Sequence, residues 1–262
     1  MKTALVTGGT KNDIDAIATL VINVQRVTPN LADEIVIFHD GVDKDKQKLI
    51  NNIMPARFVY YKSPFSKMKM WKNKSIRYFS PMIFCKYECF RLLKEYDTVI
   101  WTDYDVVIKN DISELKTMDE QMQFILAKEV TLKDMFNEKI NSVDMEEYDM
   151  DGICITAPLM VLSKELKDYE KYYHWCIEMT DKYMKYLYLP EQCIYTMLVQ
   201  KFNLSYGEIE KEIYCLHPKY ATEKTKIHHA YGQPKYWNGL YDELWVAHNK
   251  IWLNMINGVS GQ

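Results

Sequence analysis

Two apolar rhythms alternate along the first part of the chain. Thr3–Thr7 is a short apolar run that stops at Gly8-Gly9, the pattern of a strand. Ile14, Ile17, Ala18, Val21 and Val24 then recur at helical spacing. Glu34–Phe38 repeats the strand pattern and ends in a turn signal, His39-Asp40-Gly41. Lys44–Ile53 reads as helix and Ala56–Tyr61 as a third strand. This βαβαβ opening predicts an α/β fold, a mostly parallel Rossmann-like sheet flanked by helices. Such sheets take their ligands outside the C-terminal ends of the strands.

Farther along, Ser80-Pro81 opens a predicted helix, with Ser as N-cap and Pro in the first position, running to about Lys94. Thr98–Trp101 is the next strand, with Asp103-Tyr104-Asp105 at its end. Residues 131–151 are polar and acidic and read as a long excursion or lid. Ile153–Leu162 is an apolar strand, Ser163–Leu187 a helix rich in Tyr, and Pro190–Gln200 another helix. Ile227-His228-His229 ends a late strand, and Gly239–Ile256 reads as helix. Without repeats, low-complexity tracts or a clear linker, residues 1–262 are expected to form one domain, with 238–262 a C-terminal helical extension.

Composition narrows the function classes. Lys and Arg number 33 against 36 Asp and Glu, a net charge of −3, and 48% of residues are hydrophobic. Disorder is excluded, and the balance argues against a protein that wraps nucleic acid, which needs a basic face. One basic segment stands out: Lys62, Lys67, Lys69, Lys72, Lys74 and Arg77. We favour a solvated surface loop there; the alternative is an anionic partner, either a diphosphate or a lipid headgroup. Trp237, Trp245 and Trp252 could mark a membrane-surface helix, but packing of the rings on the core is the favoured reading. The six cysteines lie mostly in apolar runs without C-x-x-C or zinc spacing, the pattern of buried, reduced thiols. The N-terminal apolar run is too short for a secretory signal, and no run approaches the ~20 apolar residues of a membrane span. The expected location is therefore cytoplasmic, with peripheral membrane contact left open.

The motif D-x-D occurs four times, and context separates the copies. Asp43/Asp45 opens a polar helix, where carboxylates suit the helix dipole. Asp149/Asp151 lies in the acidic excursion, and Asp13/Asp15 near the first helix start, where it could cap the helix or touch a ligand. Only Asp103/Asp105 follows an apolar strand and precedes another apolar run, Val106–Ile108. There two carboxylates can share one hard cation, magnesium or manganese rather than zinc. The alternative is a turn whose Asp side chains satisfy backbone donors.

Two blocks around these residues resemble the retaining family 8 glycosyltransferases, which include glycogenin and bacterial lipooligosaccharide galactosyltransferases. The first runs from Ser80-Pro81 and Lys86 through Asp103-Tyr104-Asp105 to Asp111-Ile112-Ser113-Glu114-Leu115. Lys86 falls where the family carries a donor-contacting Arg or Lys. The second, His229-Ala230-Tyr231-Gly232-Gln233-Pro234-Lys235-Tyr236-Trp237, is similar to the family's His-x-x-Gly-x-x-Lys-Pro-Trp, with Tyr236 in place of the Pro. Weaker matches are Pro190-Glu191-Gln192, where the family has Asp-Gln, and Ile155–Leu159, where Thr156 and Pro158 replace Asn and Gly. The first loop, Thr7, Gly8, Gly9, Asn12 and Asp13, is a loose version of the family's nucleotide-binding loop and lacks its usual Tyr.

The resemblance implies a GT-A-type fold and transfer of a sugar from a nucleotide-diphosphate sugar, a UDP-sugar, with retention of configuration. It implies a glycan, glycolipid or glycoprotein acceptor. Its metal set is Asp103, Asp105 and His229, holding Mn2+ or Mg2+. Its donor-binding set is Thr7, Gly8, Gly9, Asn12, Asp13, Lys86, Asp103, Tyr104, Gly232 and Lys235. Glu191, Gln192 and Lys86 would lie beside the reacting sugar. Two other readings stay in view: a nucleotidyltransferase-like enzyme that makes an activated sugar, and a non-catalytic sugar-binding protein. The first needs a richer Gly- and Lys/Arg-bearing first loop than Thr7–Lys11, and the second would have lost the metal set.

Overall fold

The expected order is realised at the start of the chain. In the computed structural model, which describes residues 1–117 and 120–258, β1 (Thr3–Gly9), α1 (Ile14–Val27), β2 (Glu34–His39), α2 (Lys44–Asn51) and β3 (Ala56–Tyr60) follow in turn. Next come α3 (Lys67–Lys72), α4 (Lys74–Phe79), α5 (Glu88–Leu92), β4 (Thr98–Thr102) and β5 (Val106–Ile108). The second half adds β6 (Met122–Thr131), β7 (Ile153–Ser163), α6 (Tyr169–Tyr183), α7 (Pro190–Lys201), β8 (Gly207–Glu208), α8 (Lys211–Tyr214), β9 (Ile227–His229) and α9 (Glu243–Ile256).

Seven strands form one sheet in the order β3-β2-β1-β4-β7-β6-β8, and β5 pairs with β9 in a separate ladder. The β3–β2–β1–β4 half is parallel, whereas β7 runs antiparallel to both β4 and β6. Leu5, Ile35, Ile37 and Ile100 pack on one face against Ile17 and Val21 of α1 and Trp252 of α9. Val6, Val36, Val99 and Trp101 pack on the other against Phe84, Phe90 and Leu198. Burial on both faces explains why these strands read as unbroken apolar runs. Among the described residues, no helix is long and apolar enough to cross a membrane.

Two of the three C-terminal tryptophans pack inward, as favoured, whereas Trp237 is 41% exposed. Trp245 and Trp252 are buried, and Trp252 Nε1 donates to Asp15 Oδ1 at 2.8 Å, tying α9 to α1. Residues 259–262 of the predicted extension lie outside the described residues. The six cysteines are buried and unpaired.

Four local expectations are corrected. Residues 131–151 form no open lid: two 3-10 turns bury Leu132, Met135 and Ile140, and the stretch after them buries Met145 and Tyr148 against the core. Strand β6 carried no sequence prediction; its first half is covered on both faces and its pairing with β7 shifts register, so it shows no clean alternation. The Tyr-rich helix starts at Tyr169, because Ser163 still pairs with Thr98 in the sheet. The basic stretch is not a plain loop but holds α3 and α4, and the segment after Ser80 is a 3-10 helix, Pro81–Tyr87, before α5.

That 3-10 helix rests directly on β1 because Gly8 has no side chain. A Cβ there would lie 2.5 Å from Cys85 Sγ and 3.2 Å from Phe38 Cβ. Gly8→Ala should therefore destabilise by about 1–3 kcal/mol through overpacking. At about 2–4 °C per kcal/mol for a chain of this size, calorimetry should register the loss clearly. In a Cys85→Ala background the same substitution should be markedly milder. Equal shifts in both backgrounds would show that the Gly8–Cys85 contact does not set this packing.

Candidate active site

Sheet register assembles the site. The β4–β7 ladder ends with Thr102 opposite Leu159, and the next amide, Asp103 N–H, donates to the Pro158 carbonyl at 2.8 Å. The chain turns at Tyr104 into β5, whose first residue, Val106, lies opposite His229 of β9. Ala230 N–H donates to the Asp105 carbonyl at 2.9 Å. This short antiparallel ladder brings a histidine from late in the chain against the paired aspartates.

Ligand atoms of Asp103, Asp105 and His229 all lie within 4.8 Å of one another. His229 Nε2 is 3.2 Å from Asp105 Oδ1 and 4.0 Å from Asp103 Oδ2. The ring is oriented from behind by Cys215, whose Sγ is hydrogen-bonded to Nδ1 at 3.2 Å. That bond leaves Nε2 facing the carboxylates, as a metal-ligating histidine requires. Two carboxylates and one imidazole form a donor set that suits manganese or magnesium, so the residues fit the expected ion.

Protein cations crowd the same carboxylates. Lys235 Nζ donates to Asp105 Oδ2 and, at 2.7 Å, to the Ala230 carbonyl. Burial would raise the Asp105 carboxyl, but His229 and Lys235 outweigh it and hold the group well below the usual carboxylate range. Burial works against a charged His229 too, yet Asp105 holds its imidazole well above the ordinary value. A divalent ion bound by Asp105 has to compete with both.

Lys86 is the second centre of charge. Its ammonium is buried and donates to Glu191 Oε1 at 2.9 Å and to the Ala157 carbonyl at 2.9 Å; it lies 3.0 Å from Asp103 Oδ1. Burial opposes its charge, but Asp103 and Glu191 outweigh that and raise its pKa. Trp101 Nε1 also donates to Asp103 Oδ1, at 2.9 Å. Glu191 is completely buried, and its other oxygen, Oε2, has no hydrogen-bond partner.

These groups line a cleft of about 700 Å³ at the C-terminal ends of β1 and β4. Gly8, Gly9, Asp13, Lys86, Tyr104, Glu191, Gln192, Gly232 and Lys235 all face it, together with Asp103, Asp105 and His229. Thr7 and Asn12 do not. Thr7 is buried within β1, and Asn12 borders a smaller adjoining pocket that shares Asp13. Gly232 has φ +78°, in the left-handed region that favours glycine, and a Cβ there would meet nothing within 4 Å. Tyr104 stacks on Trp237 with ring centroids 5.7 Å apart. Thr156 and Pro158 also line the cleft.

Sequence reasoning missed Trp101 and Cys215 as partners of the site. Trp101 lay in a plain apolar strand. Cys215 approaches His229 through a bridge between Leu216 and His228, which no local pattern reports.

None of the curated protein sequences matches the chain significantly. Among solved structures, the apo form of the bifunctional glycosyltransferase WbbM superposes with a TM-score of 0.69 at 13% identity, over 98% of this chain and 51% of that one. The galactosyltransferase LgtC, in complex with donor and acceptor sugar analogues, gives 0.68 at 11% identity, over 99% and 97%. GlyE of Streptococcus pneumoniae TIGR4 gives 0.64 at 18%, over 98% and 63%. The chain thus spans about half of the WbbM chain and nearly all of LgtC. At these identities the likeness establishes the fold, the GT-A type predicted from the sequence. The sequence model of "Glycosyl transferase family 8" matches residues 4–239. From that match over nearly its whole length, the chain belongs to glycosyl transferase family 8.

Proposed function

We propose that this glycosyltransferase is metal-dependent and moves a sugar from a UDP-sugar to a hydroxyl of a glycan or glycoconjugate, with retention of configuration. The observation that carries the reading is the convergence of Asp103, Asp105 and His229 at the cleft edge, with Lys235 on the same carboxylate. A divalent cation held by Asp103, Asp105 and His229 would act as Lewis acid toward the donor's diphosphate.

The remaining work falls to the chain itself. Gly8 and Gly9 line the cleft at the end of β1, and Gly232 exposes backbone to the phosphates. Lys235 exchanges Asp105 for diphosphate oxygens, supplying positive charge as the leaving group departs. Lys86, with three acceptors of its own chain around it, acts as a positioning residue that sets Asp103 and Glu191 rather than as a direct donor contact. Lys86 holds Glu191 Oε1 and the protein shields Oε2 from solvent, so Glu191 is fixed in place in the cleft wall on the expected sugar side. The acceptor proton then passes to the leaving diphosphate on the same face. Gln192 lines the cleft next to it. A nucleotidyltransferase reading gains nothing from the first loop, where Thr7 is buried and Asn12 turns to the adjoining pocket.

Purified protein with manganese and a panel of nucleotide sugars should consume a UDP-sugar, and proton NMR of the product should show the donor's anomeric configuration. An inverted product would refute retention.

Asp105→Asn should cut transfer by more than about 100-fold, at least the loss expected for a partner of a metal ligand. Asp43→Asn and Asp149→Asn, remote from the cleft, should stay near the parent rate. Asp105→Asn activity within a few-fold of the parent would remove Asp103/Asp105 as the metal site.

His229 and Lys235 should fail differently. His229→Asn should raise the metal concentration needed for half-maximal activity. Lys235→Ala removes a competitor for Asp105, so it should tighten manganese binding measured without nucleotide. It should also lower turnover, by roughly 100–1,000-fold if Lys235 acts as one preorganised electrostatic group. Weaker manganese binding in Lys235→Ala would contradict the competition.

A further inference from the structure

The segment between β3 and the Lys86 helix carries a basic and apolar surface, most of it outside the cleft. No Asp or Glu occurs between Asp45 and Glu88, whereas Lys62, Lys67, Lys69, Lys72, Lys74 and Arg77 fall within sixteen residues. Among the described residues, only Lys69 of these six pairs with a carboxylate, Asp181, at 2.7 Å. The same segment exposes large apolar side chains: Met68 is 67% exposed, Trp71 71%, Tyr78 64% and Phe79 40%. The Arg77 guanidinium lies over the Trp71 ring, 5.4 Å from its centre.

This platform is held in place from below. Met70 and Ile76 are buried in the main core. Asn73 is buried between α3 and α4. Its side-chain amide donates to the carbonyls of Met184 and Leu187 at 2.7 and 2.8 Å, and its oxygen accepts from Ile76 N–H at 3.1 Å. Met68, Trp71, Tyr78 and Phe79, exposed within twelve residues on pinned helices and interleaved with cations, make a patch of the kind that marks an interaction surface. Tyr78 and Phe79 continue the platform into the lining of the catalytic cleft.

We propose that the α3–α4 platform docks the protein on an anionic lipid membrane, with the cleft opening toward the bilayer. Trp71 and Met68 enter the headgroup boundary while the flanking lysines meet lipid phosphates. Charge complementarity selects the partner, and the thioether of Met68 suits a lipid boundary better than the base stacking of a single-stranded nucleic acid. Presentation of the cleft to a lipid-linked acceptor rests on the function proposed above; the docking does not.

The test is vesicle flotation of the full chain, with phosphatidylcholine vesicles and with phosphatidylcholine–phosphatidylglycerol vesicles, at low and high salt. Binding is expected only to vesicles containing phosphatidylglycerol and should fall with salt. Each basic residue near an anionic surface contributes roughly fivefold, so Lys67→Gln/Lys72→Gln should weaken binding roughly 25-fold. Trp71→Ser should weaken it several-fold with an unchanged melting temperature. The proposal is overturned by absence of binding to phosphatidylglycerol vesicles, by equal binding of parent and variants, or by displacement from vesicles by a short single-stranded oligonucleotide. Flotation needs no donor, so a chain that binds vesicles and transfers no sugar contradicts the earlier reading and not this one.

Discussion

A buried carboxylate has to be compensated, and Asp105 is the one on which this site turns. Left unpaired out of water, such a charge costs several kcal/mol. Both of its oxygens are met, Oδ1 by His229 and Oδ2 by Lys235. Neither partner is near in sequence, so compensation depends on β9 pairing with β5 in the observed register and on the loop after it returning toward the cleft. The same groups that stabilise the carboxylate are those expected to serve metal and diphosphate. Binding of a cation and a donor, as proposed, would therefore be an exchange of partners at Asp105, not the filling of a neutral hole.

Lys86 links this edge to the rest of the cleft. It projects from the 3-10 helix that Gly8 allows to sit on β1, and it reaches β7, α7 and the end of β4 through Ala157, Glu191 and Asp103. A buried ammonium with three acceptors at about 3 Å has little freedom. It fixes Asp103 relative to Glu191, and hence the two sides of the cleft relative to each other. Packing at Gly8 and chemistry at Asp103 are in this way one structural problem.

Much of this was legible in the sequence, for identifiable reasons. The βαβαβ start could be read because its strands are covered on both faces and its helices are amphipathic. Asp103, Asp105 and His229 could be found because each sits in a linear motif with its own spacing. What escaped reading depends on distant neighbours. Strand β6 has an irregular pairing with β7 that erases its period. The polar excursion at 131–151 buries a handful of apolar side chains that its acidic composition concealed. Trp101 and Cys215 matter through one hydrogen bond each, to Asp103 and His229, and no pattern along the chain announces such bonds. Thr7 and Asn12 matched a loop motif, but Thr7 is buried within β1 and Asn12 borders the adjoining pocket, so neither lines the cleft.

The central claim is that Asp103, Asp105 and His229 form one divalent-cation site coupled to nucleotide binding. Electron paramagnetic resonance of Mn2+ titrated into the purified protein, with and without UDP, addresses it directly. The account predicts a single saturable site whose affinity rises when UDP is present and which disappears in an Asp103→Asn/Asp105→Asn variant that keeps its fold. Manganese binding that is absent, or that survives unchanged in that variant, would contradict it.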